Sequence, residues 1–320
     1  MPPTRRTVLA GLTPVAGQMS LAGVTPVAGL MSLAGTALAE APPPAPLIAR
    51  PIPSTGERLP AIGIGTSRRY EVEPTPDNLA PLAEAVARFV ALGGRVIDTA
   101  PSYGTAEDVL GAILSRDGLR ERVFLATKID TRGRAAGLAE FERSLARMRT
   151  DRLDLAAVHN LIDVRPNLAL LRDLKAEGRI RYLGVTVWRD EQLPDLEAVM
   201  RSEALDCIQV NYALDNRAAA QRILPLAADR GMAVMVNVPF GRDRLFGAVR
   251  GRPLPDFAAA FDCASWAQFF LKYVLAEPAV TCPIPGMAKA AYVEDNLGGA
   301  RGRLPDAGER RKMEEYIDAV

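Results

Sequence analysis

The stretch VIDTAPSYGTAEDVLG, residues 96–111, holds one whole strand–loop–helix unit. Val96 and Ile97 run straight into a carboxylate, Asp98; small and rigid residues follow, then Tyr103 and Gly104, and then the helical pattern AEDVLGAILSR. The unit recurs on both sides. Upstream, LPAIGIGT (59–66) precedes a helix that sets Leu79, Leu82, Val86, Phe89 and Val90 on one face. Downstream, RVFLATK (122–128) leads to a helix with Leu138, Phe141, Leu145 and Met148 at spacings of three and four, and RLDLAAVH (152–159) to one with Leu168, Leu171 and Leu174. IRYLGVTV (180–187), LDCIQVN (205–211), MAVMVN (232–237) and AVTCPIP (279–285) are four further strands, each separated from the next by a helical pattern.

Eight apolar runs, each followed by a helix, predict parallel pairing, because parallel neighbours need a crossover. The runs lack clean polar alternation, as expected of strands covered on both faces. Eight units close into a (β/α)8 barrel, a TIM barrel, and about 250 residues suffice for one. A doubly wound sheet would want a Gly-rich first turn, and GIGTS (63–67) lacks its third glycine. Two pieces fall outside the barrel: a β-hairpin from Ile48 to Leu59 turning at STGE, and a short C-terminal helix from about Gly308 to Ala319.

The first 39 residues differ in kind. TRRTVLAG (4–11) carries Arg5-Arg6, followed by an uncharged Gly- and Ala-rich stretch that repeats itself as LTPVAGQMSLAG and VTPVAGLMSLAG. Ala37-Leu38-Ala39 offers a small-x-small cleavage pattern ahead of Glu40. Residues 1–39 read as a twin-arginine (Tat) signal peptide, 40–47 as a Pro-rich linker and 48–320 as the barrel. The expected location is the periplasm, or the cytoplasm if the signal is not used. Glycines and prolines break the apolar stretch, so no stable membrane span is expected in the mature chain.

With 39 Lys and Arg against 38 Asp and Glu, the formal net charge is +1, and no strong field attracts nucleic acid or anionic membrane. The three cysteines form no CxxC pair, and one histidine is too few for any usual zinc set. Small buried side chains are the expectation for Cys207, Cys263 and Cys282.

In parallel barrels chemistry sits at the C-terminal strand ends. Three consecutive strands end there in titratable residues: Asp98, Lys128 and His159, the last being the only histidine. A lysine at the end of an apolar strand needs a carboxylate, and Asp98 is one strand away. Tyr103 makes a fourth member. A phenol titrates near 10, and a neighbouring ammonium lowers that value. Asp98 would hold Lys128 charged, and His159 would orient a substrate oxygen. No activated nucleophile, spaced carboxylate pair or Walker loop is present. Proton donation to an oxygen, with reducing power from a hydride cofactor, is what remains.

VIDTAPSYGTAEDVLG, FLATK, LAAVHN, IRYLGVT, DCIQVNY and PIPGMAKAAYVEDNLGGA follow one another as in the aldo-keto reductases, which the chain resembles over about residues 48–300. The resemblance implies Asp98, Tyr103, Lys128 and His159 as a catalytic tetrad and NADP(H) as cofactor, with NAD(H) the alternative. It also implies that Asp98, Gly65 and Thr66 line the nicotinamide ribose, and that Thr186 and Gln209 face the carboxamide. Asn237 stands where the family stacks a ring, and Val187 replaces a carboxamide ligand. Phe240, Gly241, Arg242 and Arg244 of the loop FGRDRLFGAVRGR (240–252) would clamp the pyrophosphate. Pro285, Gly286, Lys289 and Asn296 would reach the adenosine end, Lys289 being the one cation near its phosphate. Tyr70, Trp188, Phe240 and Phe246 are candidate pocket aromatics. A monomer acting on a small carbonyl substrate is expected. A nucleotide-binding regulatory protein that turns over poorly is the alternative, suggested by Val187 and Asn237; a barrel hydrolase lacks its paired carboxylates.

Overall fold

The structure, a computed structural model, describes residues 45–116 and 118–320; the twin-arginine stretch lies outside the described residues. A two-stranded antiparallel hairpin comes first, β1 (Ala49–Pro51) and β2 (Arg58–Pro60), with Ala49 opposite Pro60. Gly56 makes the turn possible at φ 77°, a left-handed conformation that costs glycine little.

Eight parallel strands follow in chain order: β3 (Ile64–Gly65), β4 (Val96–Asp98), β5 (Phe124–Ile129), β6 (Leu153–His159), β7 (Ile180–Thr186), β8 (Cys207–Asn211), β9 (Ala233–Asn237) and β10 (Cys282–Pro283). Each pairs with its sequence neighbour, from β3 to β10. The seam is closed by Gly63 N–H donating to Pro283 O and Gly65 N–H to Pro285 O, both at 2.9 Å. Gly65 is required at this seam because a Cβ there would lie 2.5 Å from the Ile284 carbonyl oxygen. The GIGTS glycines therefore close a barrel rather than cradle a phosphate.

The helices Pro76–Ala91, Ala106–Leu114, Arg134–Met148, Val164–Ala176, Leu193–Ser202, Ala219–Asp229, Trp266–Leu275 and Ala290–Gly298 form the outer ring, and Ala307–Asp318 ends the chain. Leu79, Leu82, Val86, Phe89 and Val90 are all buried, as are Leu168, Leu171 and Leu174. Leu138 is the correction. It is 39% exposed, and the inward face of its helix runs through Gly137, Phe141, Ser144, Leu145 and Met148. Gly137 takes the inner position because a Cβ there would strike Asn167 and Leu170 at about 3 Å.

Two apolar cores result from the pleat. Ile97, Leu125, Ala156, Leu183, Ile208 and Val234 face the helices. Val96, Phe124, Ala126, Leu155, Tyr182, Cys207, Ala233, Met235, Cys282 and Ile284 fill the barrel, with Ile52 and Leu59 of the hairpin packed against them. Cys207 and Cys282 are buried free thiols, and burial pushes Cys207 up to about 12, so it packs and does not react. Cys263 is only half-buried.

Candidate active site

Side chains alternate along a strand, so the parity that fills the barrel at its base also fixes what emerges at its mouth. Continuing that parity from Val96, Phe124, Leu155, Cys207 and Met235 reaches Asp98, Lys128, His159, Gln209 and Asn237. All five are titratable or amide-bearing, and they stand at or near the C-terminal ends of five different strands. A barrel packed with hydrocarbon below thus becomes polar within one turn of its top.

Lys128 is 1% exposed, and its Nζ donates to Asp98 Oδ2 and to the Thr99 carbonyl, each at 2.7 Å. Burial alone would push the ammonium down, but the Asp98 carboxylate and the Tyr103 hydroxyl outweigh it and hold Lys128 above its ordinary value. The amine therefore stays charged. Tyr103 is brought to it by the short loop after β4: Tyr103 N–H donates to Ala100 O, Ala106 N–H to Tyr103 O, and Thr105 Oγ1 to Val72 O at 2.6 Å. Lys128 Nζ lies 5.3 Å from the centre of the Tyr103 ring. His159 meets that ring edge-on, with centroids 6.1 Å apart and planes at 80°.

The phenol differs from the sequence-based expectation. Burial raises it, Asp98 and Asp130 add to the rise, and Lys128 offsets only part, so Tyr103 sits above its ordinary value. The ammonium acts in the expected direction but does not win. Desolvation is the reason, and it leaves Tyr103 firmly protonated at neutral pH.

One member was not singled out from the sequence. Asp130 Oδ2 lies 2.8 Å from His159 Nδ1, the ring N–H pointing off the line between them, and no other acceptor aligns with that nitrogen. Burial raises the Asp130 carboxyl, but the closeness of His159, Ser102 and Lys128 prevails and holds it below the usual carboxylate range. The signal was present in FLATKID: two residues beyond Lys128, Asp130 shares its strand face.

The remaining expected residues divide. Thr186 Oγ1 donates to Gln209 Oε1 at 2.7 Å, leaving the Gln209 amide nitrogen to meet a ligand. Asn237 Nδ2 donates to the Val187 carbonyl at 3.0 Å, while Val187 itself is fully buried. Thr66 is also fully buried, and its hydroxyl is spent on the Asp98 carbonyl at 3.0 Å. Phe240 packs with Phe246 and Phe270, centroids 4.9 and 6.3 Å away, and Tyr70 is buried with its hydroxyl donating to Met287 O. Tyr70 is therefore a packing residue, while Phe240 is half-buried at the edge of its aromatic cluster. Gly241 is left-handed at φ 59°, where a Cβ would strike Asp215 at 2.5 Å. Arg244 pairs with Asp215 at 3.0 Å, whereas the exposed Arg242 stacks its guanidinium 4.2 Å from the Trp188 ring centre. Gly286 follows β10, at the seam beyond Pro285. Lys289 is exposed ahead of helix Ala290–Gly298, with its ammonium 5.7 Å from the Tyr292 ring, and Asn296 is buried on that helix.

These residues fit a nicotinamide dinucleotide. Buried amide oxygens of Asn160, Asn211 and Asn237, all just at or beyond strand ends, have no hydrogen-bond partner. Such groups are costly in a dry interior and ask for a polar ligand. Arg68 and Arg244 lie close enough to depress Arg242, after burial, below its ordinary value, so an anion there would relieve repulsion among three guanidiniums. Backbone conformations at the mouth are strained to match, with Asn160, Leu161 and Asp163 after β6 and Val238, Arg242 and Asp243 after β9 all at positive φ.

Fold and site together define a parallel-barrel enzyme whose polar strand ends surround a tyrosine backed by a buried lysine–aspartate pair. The chain belongs to the aldo/keto reductase family, which matches it over residues 61–308. It is 32% identical over 258 residues to methylglyoxal reductase YeaE of Escherichia coli (strain K12), covering 78% of this chain and 88% of that protein. It is 27% identical over 291 residues to aldo-keto reductase str7 of Strobilurus tenacellus, covering 79% and 86% of the two chains. Among solved structures, an aldo-keto reductase from Klebsiella pneumoniae in complex with NADPH superposes with a TM-score of 0.72 at 26% identity, covering 85% of this chain and 95% of that one.

Proposed function

We infer that the chain reduces an aldehyde or ketone to an alcohol with a nicotinamide dinucleotide, NADP(H) before NAD(H), and that Tyr103 is the proton donor. The observation that carries the roles is the buried Lys128–Asp98 pair at 2.7 Å with Lys128 beneath the Tyr103 ring. The dinucleotide, when bound, supplies the hydride. Gln209, Thr186 and Asn237 would hold its carboxamide end, and Arg242 and Lys289 its phosphates.

Tyr103 Oη gives its proton to the carbonyl oxygen as the carbonyl carbon accepts the hydride, so no free alkoxide forms. Lys128 stabilises the phenolate left behind, and Asp98 keeps Lys128 charged and aimed. His159 hydrogen-bonds the same carbonyl oxygen and turns its carbon toward the barrel axis. The relationship to a methylglyoxal reductase makes small 2-oxoaldehydes the first substrates to try. Residues 1–39 act as a twin-arginine export signal in this reading, the folded barrel working as a monomer in the periplasm.

The test mixes purified protein with each reduced dinucleotide and methylglyoxal, recording binding and single-turnover oxidation together. Tyr103→Phe should bind dinucleotide normally and lose about 10²–10⁴-fold in reduction. Retention of more than about a tenth of the wild-type rate would remove Tyr103 from the acid's role. Dinucleotide binding without oxidation by any carbonyl tried would favour a nucleotide-binding regulatory protein.

A further inference from the structure

Glu107 stands in the first turn of helix Ala106–Leu114 with its side chain fully buried. The Thr127 hydroxyl of β5, on a residue 1% exposed, donates to Glu107 Oε1 at 2.8 Å. From helix Arg134–Met148, Arg147 Nη1 reaches Glu107 Oε2 at 3.5 Å. Burying an acid is costly, and an apolar pair of similar shape would fill this space without stripping a charge of water, so stability does not explain the contact. Its geometry does. Thr127 precedes Lys128, and side chains alternate along a strand, so the hydroxyl faces the helices while the ammonium faces the mouth. Glu107 follows Tyr103 by four residues, and the Tyr103 carbonyl accepts from Ala106 N–H at 2.9 Å where the same helix begins. The Glu107–Thr127 bond thus joins the helix that carries the Tyr103 loop to the strand that carries Lys128. One turn on, and on the same helical face, Gly111 lets the helix touch its neighbour: a Cβ there would lie 2.0 Å from the Arg147 carbonyl oxygen. The helix is held at two points and cannot slide along β5 without breaking the bond or opening the Gly111 contact.

We propose that Glu107 is a positioning residue of the reduction, its bond to Thr127 fixing the Tyr103 phenol against the Lys128 ammonium, which lies 5.3 Å from the ring centre. The proposal rests on the reductase reading above. The charged groups around Glu107 are Arg147 and Glu140 from helix Arg134–Met148 and Asp108 beside it on its own helix, and from β5 the neighbour is the uncharged Thr127. A phenol displaced with its helix loses part of the ammonium's pull and its line to the carbonyl oxygen. Proton transfer slows, while the dinucleotide contacts assigned to β7, β8 and β9 are untouched.

The test is the double variant Glu107→Leu/Thr127→Val, which removes both polar groups and leaves neither orphaned in the interior. Its melting temperature should equal or exceed that of wild type, and its dinucleotide Kd should be unchanged. Single-turnover reduction of methylglyoxal should nevertheless fall about 10–100-fold, the loss that a misplacement of about 1 Å brings. The solvent deuterium isotope effect on that step should grow, because proton transfer has become the slower part of it. Glu107→Gln keeps an acceptor for the Thr127 hydroxyl and should keep most of the rate. Thr127→Val alone breaks the same bond and should reproduce most of the loss, so it reads the proposal even if the double variant does not fold. A wild-type rate in the double variant or in Thr127→Val overturns the proposal. So does a Glu107→Gln variant as slow as the double variant, or a rate loss that comes with weaker dinucleotide binding and an unmoved isotope effect, which would make Glu107 a packing residue. Wild type that binds dinucleotide but reduces no carbonyl overturns the reductase reading and this proposal with it, whereas a wild type that reduces and is matched by the double variant overturns this proposal alone.

Discussion

Lys128→Met is the perturbation with the clearest magnitude. The methionine keeps most of the apolar stem in place, so little cavity is made. What disappears is the ammonium, and with it the 2.7 Å contacts to Asp98 and to the Thr99 carbonyl. Asp98 is 4% exposed, so water does not reach it to replace the lost partner. Removing one side of a buried pair costs about 3–5 kcal/mol because a charge stays buried and uncompensated. For a domain of this size that is on the order of 6–15 °C in the unfolding midpoint, at about 2–3 °C per kcal/mol. Asp98→Asn alone should cost a similar amount, by stranding the ammonium. The double variant Asp98→Asn/Lys128→Met carries neither charge and should return to within about 1–2 kcal/mol of wild type, a coupling well above the scatter of independent sites. Denaturant titration followed by near-ultraviolet circular dichroism on the four proteins reads the cycle. Lys128→Met within about 1 kcal/mol of wild type, or a double variant whose loss equals the sum of the singles, would refute the argument that the pair is buried and mutually dependent. Reduction should fall about 10²–10⁴-fold in Lys128→Met, and the double variant should not recover it, because Tyr103 has lost the neighbour that most lowers it.

Lys289→Ala should abolish what preference there is for NADPH over NADH. An exposed pair is worth up to about 1 kcal/mol, roughly fivefold, so Kd values for both dinucleotides should differ by no more than about tenfold in wild type. A ratio above about a hundredfold would mean that other cations, Arg242 first among them, read the phosphate. Gly65→Ala should destabilise the barrel by about 1–3 kcal/mol through the 2.5 Å clash with the Ile284 carbonyl, with dinucleotide affinity falling in step; an unchanged melting temperature would show that the seam yields. Arg5→Lys/Arg6→Lys should retain the protein in the cytoplasm, and wild type found only unprocessed in the cytosol would remove the export signal from the account.

The barrel was legible because its information is local. Each strand is a short apolar run, each helix shows its face at spacings of three and four, and eight such units leave few ways to pair. The strand ends were legible for the same reason, since Asp98 and His159 close their strands and Lys128 stands one residue before the end of its own. Asp130 was within reach of the period-two rule but lies one step past the strand's apolar signal, where a carboxylate reads as a loop residue. Leu138 shows the converse: spacing alone admitted it to the buried face, and the close approach of Asn167 and Leu170 to Gly137 turned the helix instead.

What the sequence determined by itself was the order of elements, the parallel barrel and the set of residue types at its mouth, because hydrophobic periodicity and turn chemistry are written along the chain. Only the tertiary structure decided the balance of electrostatics. That Lys128 stays charged, that Tyr103 is raised by burial more than Lys128 lowers it, and that His159 is approached from the Nδ1 side by Asp130 all depend on distances between different strands and on the exclusion of water. Charge–charge and desolvation energies vary steeply over a few ångströms in a medium of low dielectric, and no spacing along the chain encodes those separations.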